Sequence, residues 1–330
     1  MPDDHNNPNP GQPGHDGRDD DTPFDAVTRL YIRTHPADDG TEPLPAALPF
    51  WVSPDIWIVK PGGAVGGEAV PLQQNHVKVT VTNGGGIPAV DAYVEAFVAD
   101  PSTVISPATA FLVGGGFLTV NGYSTADILL PWTPQASDSG HRCIVARVAL
   151  TIPLDTYLNP AIFDVVGDRH VAQRNIQVLE VAKGQKMTFR FLIGSPGEGR
   201  AAATVRTVET TFDLDAKALT TMGGCAGGLP ATEPLADLGV RVLSARETLV
   251  RPTLAADVRP ALGIATRPDP VPEGREVGAR LEGAKPRYAA VTFAVSPDEE
   301  TGRLHAFDVV QLDDATGEVV GGLSFVVRVV

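Results

Sequence analysis

Residues 75–85, Asn75-His76-Val77-Lys78-Val79-Thr80-Val81-Thr82-Asn83-Gly84-Gly85, constrain the fold of this chain more than any other stretch. Val77, Val79 and Val81 fall on one side. His76, Lys78, Thr80 and Thr82 fall on the other. This is a period of two built on β-branched residues and closed by an Asn-Gly-Gly turn. A strand with one dry and one wet face belongs to an antiparallel sheet packed on one side, because strands of a buried parallel sheet read as unbroken apolar runs. The same alternation recurs along the chain and sets the expected fold class: all-β, two β-sandwich domains, the first immunoglobulin-like, behind a disordered acidic N-terminal tail.

The totals agree with that class. At 330 residues the chain exceeds one average domain, and 43% hydrophobic residues are enough for two cores. The 34 glycines and 29 prolines show no collagen period and suit many short strands joined by turns. A formal net charge of -14 repels phosphate, which argues against nucleic acid or an anionic membrane as partner. Acidity then serves solubility or a basic protein partner. Cys143 and Cys225 fall in different expected domains and in no metal-binding spacing, so neither a disulfide framework nor a thiolate metal site is read. Met1-Pro2-Asp3-Asp4-His5 is acidic without an apolar core, and no apolar run reaches the ~18–20 residues that span a bilayer. The expectation is a cytoplasmic chain without signal peptide or transmembrane segment, with non-classical export or surface display as the other route.

Residues 1–22 carry almost no apolar side chain and cannot offset their ordering entropy, which predicts a disordered tail. Residues 23–50 read as an extended connector, with one strand over Ala26–Arg33 and Pro36, Pro43, Pro45 and Pro49 stiffening the rest. Residues 51–182 are the best patterned. Strands are predicted at 55–59, 75–83, 89–98, weakly at 111–113 before Gly114-Gly115-Gly116, then at 124–130, 142–150 and 171–181. That is the number and spacing of an immunoglobulin-like sandwich. Residues 183–330 read as a second β-rich domain, with strands at 186–194, 203–211, 237–243, 287–295, 304–312 and 321–330, the last two joined by a hairpin turn over 313–318. Within 212–286 the pattern supports only a short helix over 213–219 and a glycine loop over 222–228.

Asp55-Ile56-x-Ile58, Asn75-x-Val77-x-Val79-x-Val81-x-Asn83-x-Gly85, Ala89-x-x-Ala92-x-Val94, Trp132-x-Pro134, Gly140-His141-x-Cys143-Ile144-x-Ala146 and Ala172-Gln173-Arg174-Asn175 resemble the bacterial CARDB-type immunoglobulin-like domains. These are accessory domains of surface, adhesive and multidomain bacterial proteins, and the family brings no catalytic residues. The resemblance implies that Asn83 and Gly85 end a strand, through a positive φ or a side-chain bond to backbone, and that Trp132 plugs the end of the core. Cys143 falls in register either with Val145 and Arg147 or with Ile144, and in both cases is read as a half-buried free thiol.

No local spacing points to catalysis. His76, His141 and His170 lie on three expected strands of one sandwich, but no ligand motif links them. His5 and His15 sit in the tail. Gly194-Ser195-Pro196-Gly197-Glu198-Gly199 lacks the lysine of a phosphate loop, and the glycine loop around Cys225 has no neighbouring base to lower a thiol pKa. Oxygen-rich turns at sandwich ends bind Ca²⁺, which makes Asp164, Asp168, Asp313 and Asp314 weak candidates for a metal site. No cofactor is expected. The function expected is that of a non-enzymatic structural or accessory protein, acting by protein–protein association in a larger bacterial assembly or as an adhesive module. Self-association through edge strands belongs to this reading, with 23–34 and 321–330 as the segments to exchange. The alternative is a carbohydrate- or Ca²⁺-binding sandwich; a cryptic hydrolase on His141, His170 and Cys143 comes third.

Overall fold

The computed structural model describes residues 24–45, 48–135, 142–193, 202–209, 229–231, 235–243, 278–282 and 287–330. The expectations for the tail, for His5, His15 and His141, for 194–199, for the helix over 213–219 and for the Cys225 loop lie outside these residues. Among the described residues there is no α-helix, and no helix is long and apolar enough to cross a membrane.

The first half runs through β1 (Leu30–Tyr31), β2 (Ile56–Val59), β3 (Val65–Gly66), β4 (Asn75–Asn83), β5 (Ala89–Ala99), β6 (Phe111–Val120), β7 (Ser124–Trp132), β8 (Cys143–Leu150), β9 (Asp155–Thr156) and β10 (Val171–Arg174). β4 is the central strand of one sheet. It pairs with β7 along its whole length and, on its other edge, with β2 and then β1; β3 extends the sheet beyond β2. The facing sheet has the order β10-β8-β5-β6, with β9 on β8. All these pairs are antiparallel, and the arrangement is an immunoglobulin-like sandwich. Its core follows from the alternation in β4: Val77, Val79 and Val81 point inward and are fully buried with Ile56, Ile58, Val94, Val148 and Trp132. Each such side chain contributes about 1.5–3 kcal/mol. Cys143 is in register with Val145, on the face of β8 opposite Ile144, Ala146 and Val148.

Asn83 ends β4 through its side chain rather than through a positive φ. Its Oδ1 accepts from the Arg29 and Gly85 amides, and its Nδ2 donates to Ile87 O and Val120 O. Gly85 is required by close approach: a Cβ there would fall 2.1 Å from the Val27 carbonyl oxygen. Gly85→Ala should therefore cost about 1–3 kcal/mol, read as a shifted urea midpoint; an unchanged midpoint would show that the 24–29 segment gives way freely.

The second half runs through β11 (Ile176–Val181), β12 (Lys186–Ile193), β13 (Ala202–Glu209), β14 (Leu229–Pro230), β15 (Ala236–Val242), β16 (Gly278–Glu282), β17 (Arg287–Ala294), β18 (Arg303–Asp313) and β19 (Val319–Val329). One sheet has the order β11-β19-β18-β13-β16, with β14 on β18; the other is β12-β17-β15. Between them lie Phe191, Phe293, Phe307 and Phe325, with the last two rings stacked at 4.7 Å. β18 and β19 are buried on both faces, because Leu304, Val310 and Val326 turn away from this core and join Trp51, Val52 and Ile105 of the first half in another cluster, with Ile176 of β11 beside them.

Four expectations change. The strand predicted over 171–181 breaks at Asn175: β10 belongs to the first sandwich, while β11 pairs in parallel with β19 from Ile176 to Val181. The strand predicted at 111–113 continues through the glycine triplet to Val120. Segment 321–330 is not an edge, since β19 is held by β11 on one side and β18 on the other. The strand expected over 26–33 is only Leu30–Tyr31, and it is committed within the chain: Leu30 and Ile32 are fully buried in the first core.

Candidate functional site

Three places gather chemistry-bearing side chains. The first is a buried ionic cluster where the 24–45 segment meets β9 and the loop before β10. Arg169 pairs with Glu42 and, at 2.8 Å, with Asp155. His170 is fully buried; its Nε2 lies 2.9 Å from Asp155 Oδ1 and its Nδ1 2.7 Å from Asp168 Oδ1. Asp155 also accepts the Leu30 amide at 2.6 Å, so the cluster fastens β1 to the opposite sheet. Burial alone would lower the His170 pKa, but hydrogen bonds and charge from Asp155 and Asp168 outweigh it and raise the value to about 9.

Glu42, Asp168 and His170 each bring a ligand atom within 4.8 Å of the others, the one such group among the described residues. The donor set does not suit a metal. Each His170 nitrogen faces a carboxylate oxygen, an arrangement that favours the doubly protonated ring, whereas a ligand imidazole must offer a lone pair, and Arg169 already occupies Glu42. Of the acids expected to bind Ca²⁺, only Asp168 lies here, accepting the Leu158 and His170 amides. Asp164 caps Gly167 N in the same loop. Asp313 and Asp314 sit in the β18–β19 turn of the other sandwich, taking Ala315 N and Thr204 Oγ1. The four are not brought together.

The second place is the thiol of Cys143. It is fully buried, donates to Asn175 Oδ1 at 2.6 Å, and is pushed up to about 12 by burial. A protonated thiol bonded to an amide is not a nucleophile. His170 is tied to its two acids, and the two do not form a nucleophile–base pair. His76 lies on the wet face of β4, across from Pro131.

The third place is the lateral side of the first sandwich, where β6 and β7 are the sheet edges. β6 exposes Phe111 (68%), Leu112 (45%) and Phe117 (68%), and β7 exposes Leu129. The Phe117 ring lies 4.9 Å from that of Tyr93 on β5. The glycines are the reason the strand runs on. A Cβ on Gly115 would fall 2.2 Å from the Tyr93 hydroxyl, so that ring lies over a glycine floor, and one on Gly116 would meet Ile128 at 2.9 Å, so the two sheets close at this edge. Beside this surface Arg147 pins the 157–163 loop: its Nε donates to Glu95 at 2.6 Å, its Nη1 to Pro160 O at 3.1 Å, and its guanidinium lies 4.3 Å from the Tyr157 ring centroid.

Edge strands template pairing with other chains, and folded proteins blunt them with charge, proline or cover. β7 carries Asp127 and Pro131, β12 Lys186 and Arg190, β15 Asp237 and Arg241, β16 Arg280 and Glu282, and β11 Glu180. The edge of β10 is capped by residues 51–53. Among the described edge strands of four residues or more, β6 alone has neither charge nor proline, and its outer edge is hydrogen-bonded to no other strand, although β7 of the facing sheet packs beside it. Read as sequence, its glycine triplet marks a strand end; Phe117 and Leu118 just beyond it, echoing Phe111 and Leu112, are the signal that it is a strand centre.

No family model and no curated protein sequence matches the chain. Solved structures do. The chain is similar to the CARDB domain of a Pyrococcus furiosus protein, crystallised in complex with di-metal ions, at 17% identity and a TM-score of 0.21 over 32% of this chain and 76% of that one. It is similar to a tip adhesin of Pseudomonas aeruginosa at 8% identity and a TM-score of 0.21, covering 78% of this chain and 90% of that one. A third similarity, to CBD12 from CALX1.2, has 11% identity and a TM-score of 0.18 over 73% and 76% of the two chains. At these identities and TM-scores nothing about this chain is drawn from the likeness; its all-β, immunoglobulin-like architecture rests on its own strand pairing.

Proposed function

We propose that this chain is a non-enzymatic β-sandwich module that acts by protein–protein association, with β6 and the aromatic surface beside it as the contact. The observation that supports this most is the unpaired, uncharged β6 edge with Phe111, Leu112 and Phe117 exposed along it. A strand laid against β6 would gain main-chain hydrogen bonds, while the side chains flanking the triplet would supply apolar contact. The engaged lysate protein is the readout. A photo-crosslinking amino acid at position 117 of the tagged chain, exposed to host lysate, should give protein adducts. The same probe with Leu112→Lys should lose them while stability changes by no more than about 0.5 kcal/mol, since the side chain is half exposed. No adduct from the unmutated surface would defeat the reading. The Tyr93–Phe117 pair also favours a second reading, a carbohydrate ring stacked on aromatics; a glycan array on which Phe117→Ala loses every signal would select it.

A further inference from the structure

We infer that β6 pairs antiparallel with the β6 of a second copy of this chain, joining the two β10-β8-β5-β6 sheets into one across a two-fold axis at the glycine triplet. The inference rests on the reading of β6 as a contact surface and adds its occupant.

Three observations point to a copy rather than to a foreign strand. The first is the order of residues. Phe111-Leu112 and Phe117-Leu118 flank Val113-Gly114-Gly115-Gly116, so β6 runs apolar, glycine, apolar in either direction. A two-fold axis sets a strand against its own reverse. Here, with the axis at Gly114, that brings glycine against glycine and Phe111 of one copy against Phe117 of the other. A foreign strand imposes no such symmetry.

The second is charge. Two copies each carrying a net charge of -14 repel wherever acidic faces meet. β6 has no charged residue from Phe111 to Val120, and two acids on the flanking strands are neutralised, Glu95 by Arg147 and Asp127 by Lys78 at 2.7 Å, which leaves exposed Asp91 near the Val120 end, away from the glycine triplet. A partner selected by the chain's acidity would be met by acids at the contact, and β6 offers none.

The third is room. A Cβ built on Gly114 meets nothing within 4 Å, so the face of the strand is open at its centre and two such glycine floors can lie side by side without a clash.

The test follows from that opening. Gly114→Cys, in a Cys225→Ser background, adds a thiol at the proposed axis without a steric clash, and mild oxidation should join two chains through it. Val65→Cys, exposed on β3, is the control and should not crosslink, because bridged Cα atoms must lie within about 7 Å. Sedimentation of the purified full-length chain should show a dimer, and Leu112→Lys with Phe117→Lys should weaken it by at least about tenfold. A dimer that survives both lysines, or a Gly114→Cys chain that stays single, overturns the inference. A purified chain that is monomeric yet photo-crosslinks from position 117 to a different lysate protein overturns the inference and leaves the association reading standing. Monomer with no adduct removes both.

Discussion

Asn175→Ala should destabilise the whole chain by about 4 kcal/mol, although it removes one small side chain from the surface of neither core. Asn175 is the single residue between β10 and β11, and it is fully buried. Its Nδ2 donates to Ser102 O at 2.7 Å and Gly322 O at 2.8 Å, and its Oδ1 accepts the Cys143 thiol. Its own amide donates to Trp51 O, and its carbonyl accepts the Ser324 amide. Alanine keeps those main-chain bonds but leaves two buried carbonyls without this donor, each costing about 1–3 kcal/mol, and adds a cavity. The loss is felt across the chain because the junction is packed. Trp51 Nε1 donates to Ser324 Oγ at 2.9 Å, which in turn donates to Asp308, and Gly322 lets the indole lie directly on β19. Trp57 and Trp132 lie in the first sandwich and Trp51 in the junction, so fluorescence reports the first sandwich and the junction, and far-ultraviolet circular dichroism reports both halves. The two urea transitions should coincide in the native chain and move together in the variant. A variant within about 1 kcal/mol of native, or probes already separated in the native chain, would show that the junction does not couple the halves.

The sequence made the first sandwich legible because its signals are local. Val77, Val79 and Val81 name the dry face of β4 unaided, and Met187, Phe189, Phe191 and Ile193 do the same for β12. It hid what depends on partners distant in sequence. Residues 171–181 alternate without interruption, so nothing marks Asn175 as the crossing point; only the pairing of β11 with β19, far along the chain, does. Segment 321–330 reads as an apolar terminal strand whether it lies at an edge or between two neighbours. The glycine triplet reads as a breaker because the ring that covers it, Tyr93, is on another strand. His170 had its acids nearby, Asp168 two residues before it, but Asp155 and Glu42 reach it only through the fold.

The His170 cluster gives the second large effect, on pH dependence. His170 faces Asp155 and Asp168 directly, with Arg169 and Glu42 beside them. Its pKa is raised from 6.5 to about 9, so its contribution is complete below 6.5, declines between 6.5 and 9, and is gone above that. By linkage this amounts to about 3 kcal/mol. Asp168 moves the other way. Burial opposes its charge, yet the bond and charge of His170 with the Leu158 and His170 amides hold its pKa below the ordinary 3.8, so its share is present above that value and lost as pH falls through the lower one. Unfolding free energy should thus be flat from about pH 4.5 to 6.5 and fall by about 3 kcal/mol toward pH 9.5. His170→Gln should lower the plateau and abolish the alkaline limb, since glutamine does not titrate and cannot meet both acids as a cation. The structural readout is the Leu30 amide, held by Asp155 Oδ2: its hydrogen exchange should quicken along the same alkaline limb. A limb of equal slope in native and His170→Gln protein would assign the alkaline loss to other groups and remove the cluster as the latch that holds β1 in place.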